Sequence, residues 1–215
     1  MSKTLLVAAV LLGFGTCRST AQPSGILAAA SCLRPLVRLA PTPNYISRIK
    51  HAFAWKSFPL KVFFLRDRQY ASAREAMARR GLSRWVIASE GLLDFVVTED
   101  AGAADILVRF DSKTGNGLTQ SGRDKAGRHR AIITIGVKPS AESDIEAIAA
   151  HEYGHVLGID GHSDSKRDLM YPYHYEGTHG RPSVRDLNTM AGLYPKLRRR
   201  LPQPPPSQGG VYPSR

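Results

Sequence analysis

The chain has 215 residues, 42% hydrophobic and 22% charged, which is an ordinary globular composition that suits one domain with terminal extensions. Two cysteines are too few for a disulfide scaffold or a four-cysteine zinc site. The net charge of +12 comes from flanks without acidic residues, before Asp67 and after Pro195, and the body between them is near neutral, so no specific binding to nucleic acid is expected.

The first 21 residues have the pattern of an export signal. Lys3 precedes an apolar stretch over residues 5–14, which is too short to span a membrane, and small residues lead up to Ala21. We therefore predict cleavage after Ala21 and a secreted, periplasmic or cell-surface protein with no stable membrane span. Lipid attachment at Cys17 is an alternative interpretation of the same segment.

Two further segments flank the predicted domain. Residues 22–54 contain Cys32 and a cluster of helix and strand breakers at 41–44, which indicates a linker or a short pro-segment. Whether this segment inhibits the domain stays open. Residues 197–215 are rich in proline and glycine and predict a disordered tail. The folded domain is therefore expected over residues 55–196.

Apolar patterns predict four strands. Leu60, Val62 and Phe64 alternate with other residues in the first of them, and β-prone runs over 94–97, 105–110 and 131–137 predict the others. The segment Lys113–Arg130 has four glycines and no apolar period, so it is interpreted as a long surface loop.

Three segments have helical patterns. Residues 71–90 predict one helix, or two short ones that meet near Gly81. Ser143 and Glu146 have the spacing of a capping box, and apolar residues follow on helical spacing up to Gly158. Residues 184–193 predict a final helix.

The second of these helices carries the motif His151-Glu152-Tyr153-Gly154-His155. Residues four apart lie on one face of a helix, so both imidazoles can reach one zinc ion. Glu152 is displaced around the helix, where it can act as a general base on a metal-activated water without being a ligand. Gly158 can end the helix and let the chain reverse towards the same metal.

These motifs, together with Asp168-Leu169-Met170-Tyr171-Pro172, resemble the metzincin zinc endopeptidases, and most closely their matrixin branch, over residues 55–194. The resemblance implies an α+β, zincin-like catalytic domain in which a twisted, mostly parallel sheet of about four strands packs on two helices. An active-site helix, a methionine turn and a C-terminal helix complete this domain. The resemblance also assigns roles to five residues: ligands at His151 and His155, a general base at Glu152, the turn glycine at Gly158, and the methionine beneath the metal at Met170.

The third ligand departs from the family pattern H-E-x-x-H-x-x-G-x-x-H, because its position is Gly161 here. We predict His162 instead, since Asp160-Gly161 can form a tight turn that absorbs one inserted residue. Asp160 and Asp164 are the alternatives. The acidic, His-rich segment that builds the family's structural metal sites is not found, so one catalytic zinc is expected, without a structural calcium or second zinc.

The sequence is thus interpreted as an exported, monomeric zinc-dependent endopeptidase that acts on protein or peptide substrates. Two alternatives remain open. One is a non-catalytic zinc-binding module on the same fold. The other is a thermolysin-like zincin in which a downstream glutamate, such as Glu176, is the third ligand.

Overall fold

The computed structural model describes residues 43–51, 53–138, 144–173 and 180–198, all of which belong to one compact unit. The predicted export signal, both cysteines, Ser143, Glu176 and the predicted tail beyond residue 198 lie outside the described residues. None of the helices in the described ranges combines the length and the apolar character needed to cross a membrane.

A five-stranded, mostly parallel sheet forms the centre of the fold. Its strands are β1 (Leu60–Phe64), β2 (Phe95–Val97), β3 (Ile106–Asp111), β4 (Gly117–Arg123) and β5 (His129–Gly136), in the spatial order β2-β1-β3-β5-β4. The first four strands in this order, β2, β1, β3 and β5, run parallel to one another, and the edge strand β4 runs antiparallel to β5. The predicted α+β class with a mostly parallel sheet is confirmed.

The prediction of a long surface loop over Lys113–Arg130 is wrong, because this segment contains β4. β4 pairs with β5 over its whole length, from Gly117 opposite Ile135 to Arg123 opposite His129. It lies at the edge of the sheet, and most of its side chains are exposed. A strand exposed in this way needs no alternation of apolar residues, so the sequence carries little signal of it.

In the described ranges, four α-helices accompany the sheet: α1 (Ser72–Ala88), α2 (Ile145–Val156), α3 (Val184–Leu193) and the short α4 (Pro195–Arg198). α1 is one continuous helix, and Gly81 marks its closest approach to α2. A Cβ atom at Gly81 would lie 2.8 Å from the Ala149 Cβ and would overlap the Glu146 carbonyl oxygen. The Trp85 indole donates a hydrogen bond of 2.8 Å to the Ala150 carbonyl across the same contact.

The core fills the space between the sheet and the pair α1 and α2. Apolar side chains of both layers are completely buried there, among them Val62, Ile106, Ile133, Leu82 and Ala149. Strand β4 lies beside α2. This contact brings the edge of the sheet next to the helix that carries the first two histidines of the motif.

The N-terminal part of the described chain packs onto this core. The sequence predicts a linker or a short pro-segment over residues 22–54. Of these, the structure describes residues 43–51, 53 and 54. Within them, Tyr45 is only 2% exposed and belongs to the hydrophobic core. A single 3₁₀ turn follows at Ile46–Arg48.

Candidate metal centre

Three histidines converge at the C-terminal end of α2. His151 and His155 come from successive turns of the helix, and the turn after the helix returns His162 to the same place. One nitrogen of each ring lies within 4.8 Å of the other two. The structure therefore brings together the two predicted helical ligands and the residue predicted as the third.

The hydrogen bonds of the two helical histidines leave their metal-facing nitrogens without protons. His151 Nδ1 lies 2.8 Å from the Leu169 carbonyl oxygen, and His155 Nδ1 lies 2.7 Å from that of Ile159. A carbonyl can only accept, so each Nδ1 donates its hydrogen and, in a neutral imidazole, Nε2 keeps a lone pair. The two Nε2 atoms are 3.2 Å apart.

This geometry fits a tetrahedral zinc ion. Two nitrogens that bind one zinc at 2.0–2.1 Å with a tetrahedral angle are separated by about 3.3 Å. Zinc also requires neutral imidazoles. Burial lowers the pKa of His155 to about 4, and burial likewise lowers the pKa of His162. The rings of His155 and His162 are therefore in the neutral state in which they could hold the metal.

Two glycines shape the turn that presents His162. Gly158 has a φ of +110° and Gly161 a φ of +148°, conformations that residues with a side chain rarely adopt. Both also lie against the backbone of the preceding segment: a Cβ at Gly158 would overlap the Phe53 carbonyl oxygen, and one at Gly161 would lie 2.5 Å from that of Arg48. The inserted Gly161 is thus accommodated by its own conformation and by its lack of a side chain.

The two alternative ligands have other partners. The Asp160 carboxylate is exposed and lies 2.8 Å from His51 Nδ1. Asp164 accepts a hydrogen bond of 2.8 Å from Arg185 and lies 3.4 Å from Arg48. Neither carboxylate joins the histidine cluster within the described part of the chain.

The predicted methionine turn is joined to the cluster through Leu169, whose carbonyl oxygen lies 2.8 Å from His151 Nδ1. Met170 is fully buried, and its sulfur occupies the space where a Cβ of Gly154 would be, on the inner side of α2. The buried Asp186 carboxylate holds this turn by accepting hydrogen bonds from the backbone nitrogens of Leu169, at 2.8 Å, and Met170, at 3.4 Å. Asp186 also completes a capping box with Ser183 at the start of α3. The helix predicted at 184–193 thereby fixes the backbone carbonyl that orients His151.

Glu152 lies on the side of α2 that faces β4. Its side chain is 5% exposed, and burial raises the pKa of its carboxyl to about 7 against the opposing effect of a hydrogen bond. That bond comes from the Thr119 hydroxyl, which donates to Oε2 at 2.7 Å. Gly117 approaches the same carboxylate so closely that a Cβ there would lie 2.6 Å from Cδ.

Sequence reasoning missed Gly117 and Thr119 because the sequence pattern predicts a loop where the structure has β4. The only signal in the sequence was their spacing of two residues, which places them on one face of a strand. That signal has no meaning until the strand itself is recognised.

A cleft of about 1300 Å³ runs across the cluster. Residues of β4 and residues 171–173 both line it, and Leu118 is 53% exposed and Tyr173 68% exposed. The three histidines and Glu152 line the same cleft. A molecule bound in this cleft would therefore lie next to the candidate metal centre.

Comparison with known proteins gives a consistent result. The sequence model of the matrixin peptidase family matches residues 55–195. Metalloendoproteinase 4-MMP of Arabidopsis thaliana is 36% identical over 112 residues, which cover 44% of this chain and 32% of the relative. Matrix metalloproteinase-25 of Homo sapiens is 38% identical over 68 residues, which cover 29% of this chain and 12% of the relative. The chain thus spans a third or less of the length of these two curated relatives.

Proposed function

This chain belongs to the matrixin family of peptidases, and on that premise we propose that it is a zinc-dependent endopeptidase acting on protein or peptide substrates. The observation that carries the proposal is the convergence of three histidines, next to the buried Glu152 carboxylate, in the lining of an open cleft. In this proposal His151, His155 and His162 hold one catalytic zinc ion.

The metal supplies one part of the chemistry. A bound zinc ion polarises the scissile carbonyl and lowers the pKa of a water molecule. The chain supplies the remainder. His151 and His155 direct Nε2 towards the metal because their Nδ1 atoms are held by the carbonyl oxygens of Leu169 and Ile159, an arrangement that fixes both rings.

Glu152 is the proposed general base. It accepts a proton from the attacking water at its carboxylate and returns that proton to the nitrogen of the leaving amine. The Thr119 hydroxyl holds the carboxylate from the β4 side, and the missing side chain of Gly117 leaves room for it. Glu152 is thus oriented by the edge strand of the sheet.

Substrate binding is proposed along β4. Among the strands of the described residues, β4 pairs with β5 alone, so its other edge can hydrogen-bond with an extended peptide. The exposed side chains of Leu118 and Tyr173, which both line the cleft, offer apolar contacts to residues of that peptide. We further propose that residues 1–21 export the protein, so that the mature chain begins at Gln22 and works as a monomer outside the cytoplasm.

The two alternative functions are less well supported. A non-catalytic zinc module gains nothing from a buried carboxylate beside the metal. In this chain such a carboxylate, that of Glu152, is present and is held by a hydrogen bond from Thr119, which favours catalysis. A thermolysin-like zincin needs a downstream glutamate as its third ligand, and Glu176 lies outside the described residues. The proximity of His162 to the other two rings supports the three-histidine arrangement instead.

The test is cleavage of casein by the zinc-loaded protein, with and without a chelator, together with zinc analysis. We expect cleavage that the chelator abolishes, and about one zinc per chain. Glu152→Gln should abolish cleavage and retain the zinc, whereas the control Glu99→Gln, which alters an exposed carboxylate paired with Arg66, should change neither. Zinc-loaded protein that cleaves nothing would refute the proposed function, and loss of zinc in Glu152→Gln would show that Glu152 is a ligand.

A further inference from the structure

A short N-terminal segment runs along the outside of the turn that presents His162. We propose that residues 45–51, which we call the N-terminal strap, are a positioning element for His162 and so set the affinity of the metal centre. The inference rests on the proposed zinc site. It assigns a role to residues that precede the region matched by the family model, which begins at residue 55.

The strap is firmly anchored at its first residue. Tyr45 is buried, its backbone nitrogen donates to Thr189 Oγ1 at 3.0 Å, and its hydroxyl donates to the Asp186 carboxylate. The Arg185 guanidinium lies 5.6 Å from the centre of the Tyr45 ring. The first residue of the strap is therefore fixed to α3 by contacts with Thr189 and Asp186.

From this anchor the strap runs to the turn and contacts it at Asp160 and Gly161. The Lys50 backbone nitrogen donates to the Asp160 carbonyl oxygen at 2.9 Å, and His51 Nδ1 lies 2.8 Å from the Asp160 carboxylate. The Arg48 carbonyl occupies the space next to Gly161 that any side chain there would need. These contacts act on the two residues immediately before His162.

The insertion in the turn explains why such support is needed. The turn is one residue longer than the family pattern, and two of its residues adopt a positive φ. A longer, glycine-containing turn has more conformations to lose when the metal is bound. Contacts that fix Asp160 and Gly161 in the free protein remove part of that cost before the metal arrives.

The strap is also linked to the rest of the centre through Asp186. The carboxylate that accepts from the Tyr45 hydroxyl also accepts from the Leu169 backbone nitrogen, and the Leu169 carbonyl fixes the His151 ring. The N-terminal strap thus contacts residues that position two of the three proposed ligands, His151 and His162.

The first test removes a single main-chain hydrogen bond. Lys50→Pro deletes the nitrogen-bound hydrogen that bonds to Asp160, and Lys50→Ala is the matched control that keeps it. Ile49 has φ −79° and ψ 120°, an extended conformation that the residue before a proline prefers. We expect Lys50→Pro to bind zinc about five- to tenfold more weakly than Lys50→Ala. The visible absorption of the cobalt(II)-substituted protein, which reports the ligand geometry, should change only in Lys50→Pro.

The second test uses the unmodified full chain, so it does not depend on how a variant folds. Coupling between two sites is reciprocal, so zinc must stabilise the strap if the strap supports the zinc site. Hydrogen exchange should slow in residues 45–51 and 158–164 when zinc is added, and stay unchanged in the control hairpin 123–129. Slowing in 158–164 without slowing in the strap, or equal zinc affinities and cobalt spectra for the two Lys50 variants, would overturn the inference. Wild-type protein that binds no zinc would instead refute the proposed function.

Discussion

Replacing Gly117 by alanine should displace the proposed base without touching a proposed ligand. The added Cβ would lie 2.5 Å from Cγ and 2.6 Å from Cδ of Glu152, whereas ordinary contacts begin at 3.4 Å. The carboxyl group must therefore move by about 1 Å, and it must weaken its bond to Thr119 to do so. A misplacement of about 1 Å at a reacting group costs on the order of 100-fold in rate, so we expect kcat to fall by about that factor.

The assay is the steady-state hydrolysis of a fluorogenic peptide, with zinc content measured on the same samples. Gly122→Ala is the matched control, because it makes the same change in the same strand, where the added Cβ would meet no described residue other than its chain neighbours within 4 Å. We expect Gly122→Ala to retain wild-type activity and both variants to retain zinc.

Equal activity of the two variants would refute the reasoning, because it would mean that Glu152 works from a position that Gly117 does not limit. Loss of zinc in Gly117→Ala would also contradict it, since the contact involves none of the three histidines.

Three further predictions concern the metal, the packing of the helices and the dependence of stability on pH. His162→Ala should weaken zinc binding far more than Asp160→Ala in a competition titration, and the opposite order would make Asp160 the third ligand. Gly81→Ala should lower the free energy of unfolding in urea by about 1 kcal/mol, because overpacking costs about 2 kcal/mol in the middle of its range and alanine gains about 1 kcal/mol in helix propensity. A stabilised variant would contradict the close contact of α1 and α2. Burial alone would raise the pKa of Glu146, but its hydrogen bonds and charge interactions with two arginines of α1 lower it below the ordinary value of 4.5. The charged Glu146 therefore contributes to the free energy of unfolding above pH 4.5, and this contribution is lost as the pH falls through the lowered pKa. The difference in the free energy of unfolding between wild type and Glu146→Gln should accordingly shrink on acidification. A difference that grew would contradict the lowered pKa.

The buried parts of the fold were predictable because burial leaves a pattern in the sequence. β1, β3 and β5 lie in the interior of the sheet, and their apolar residues predicted them within two residues of their observed bounds. The same reasoning failed for β4, whose side chains mostly face solvent and whose existence depends on pairing with β5. A strand defined by its partner rather than by its own composition has no local signature.

The histidines of the site were predictable for a different reason. Helical spacing placed His151 and His155 on one face, and the family pattern, with one residue inserted in the Asp160-Gly161 turn, indicated His162. Much of what holds the site in place was not predictable, because it comes from distant parts of the chain. Tyr45 and Asp186 are in contact although 141 residues separate them, and Thr119 reaches Glu152 across 33 residues.

The three histidines of the candidate centre all belong to the single stretch 151–162. Closing so short a loop costs little entropy, so an unfolded chain can still chelate zinc with these side chains. Zinc will then bind the unfolded state as well as the native one, and its stabilising effect will be smaller than its affinity for the native protein implies. A rise in melting temperature will accordingly understate that affinity, and a newly made chain can acquire zinc before its sheet has formed.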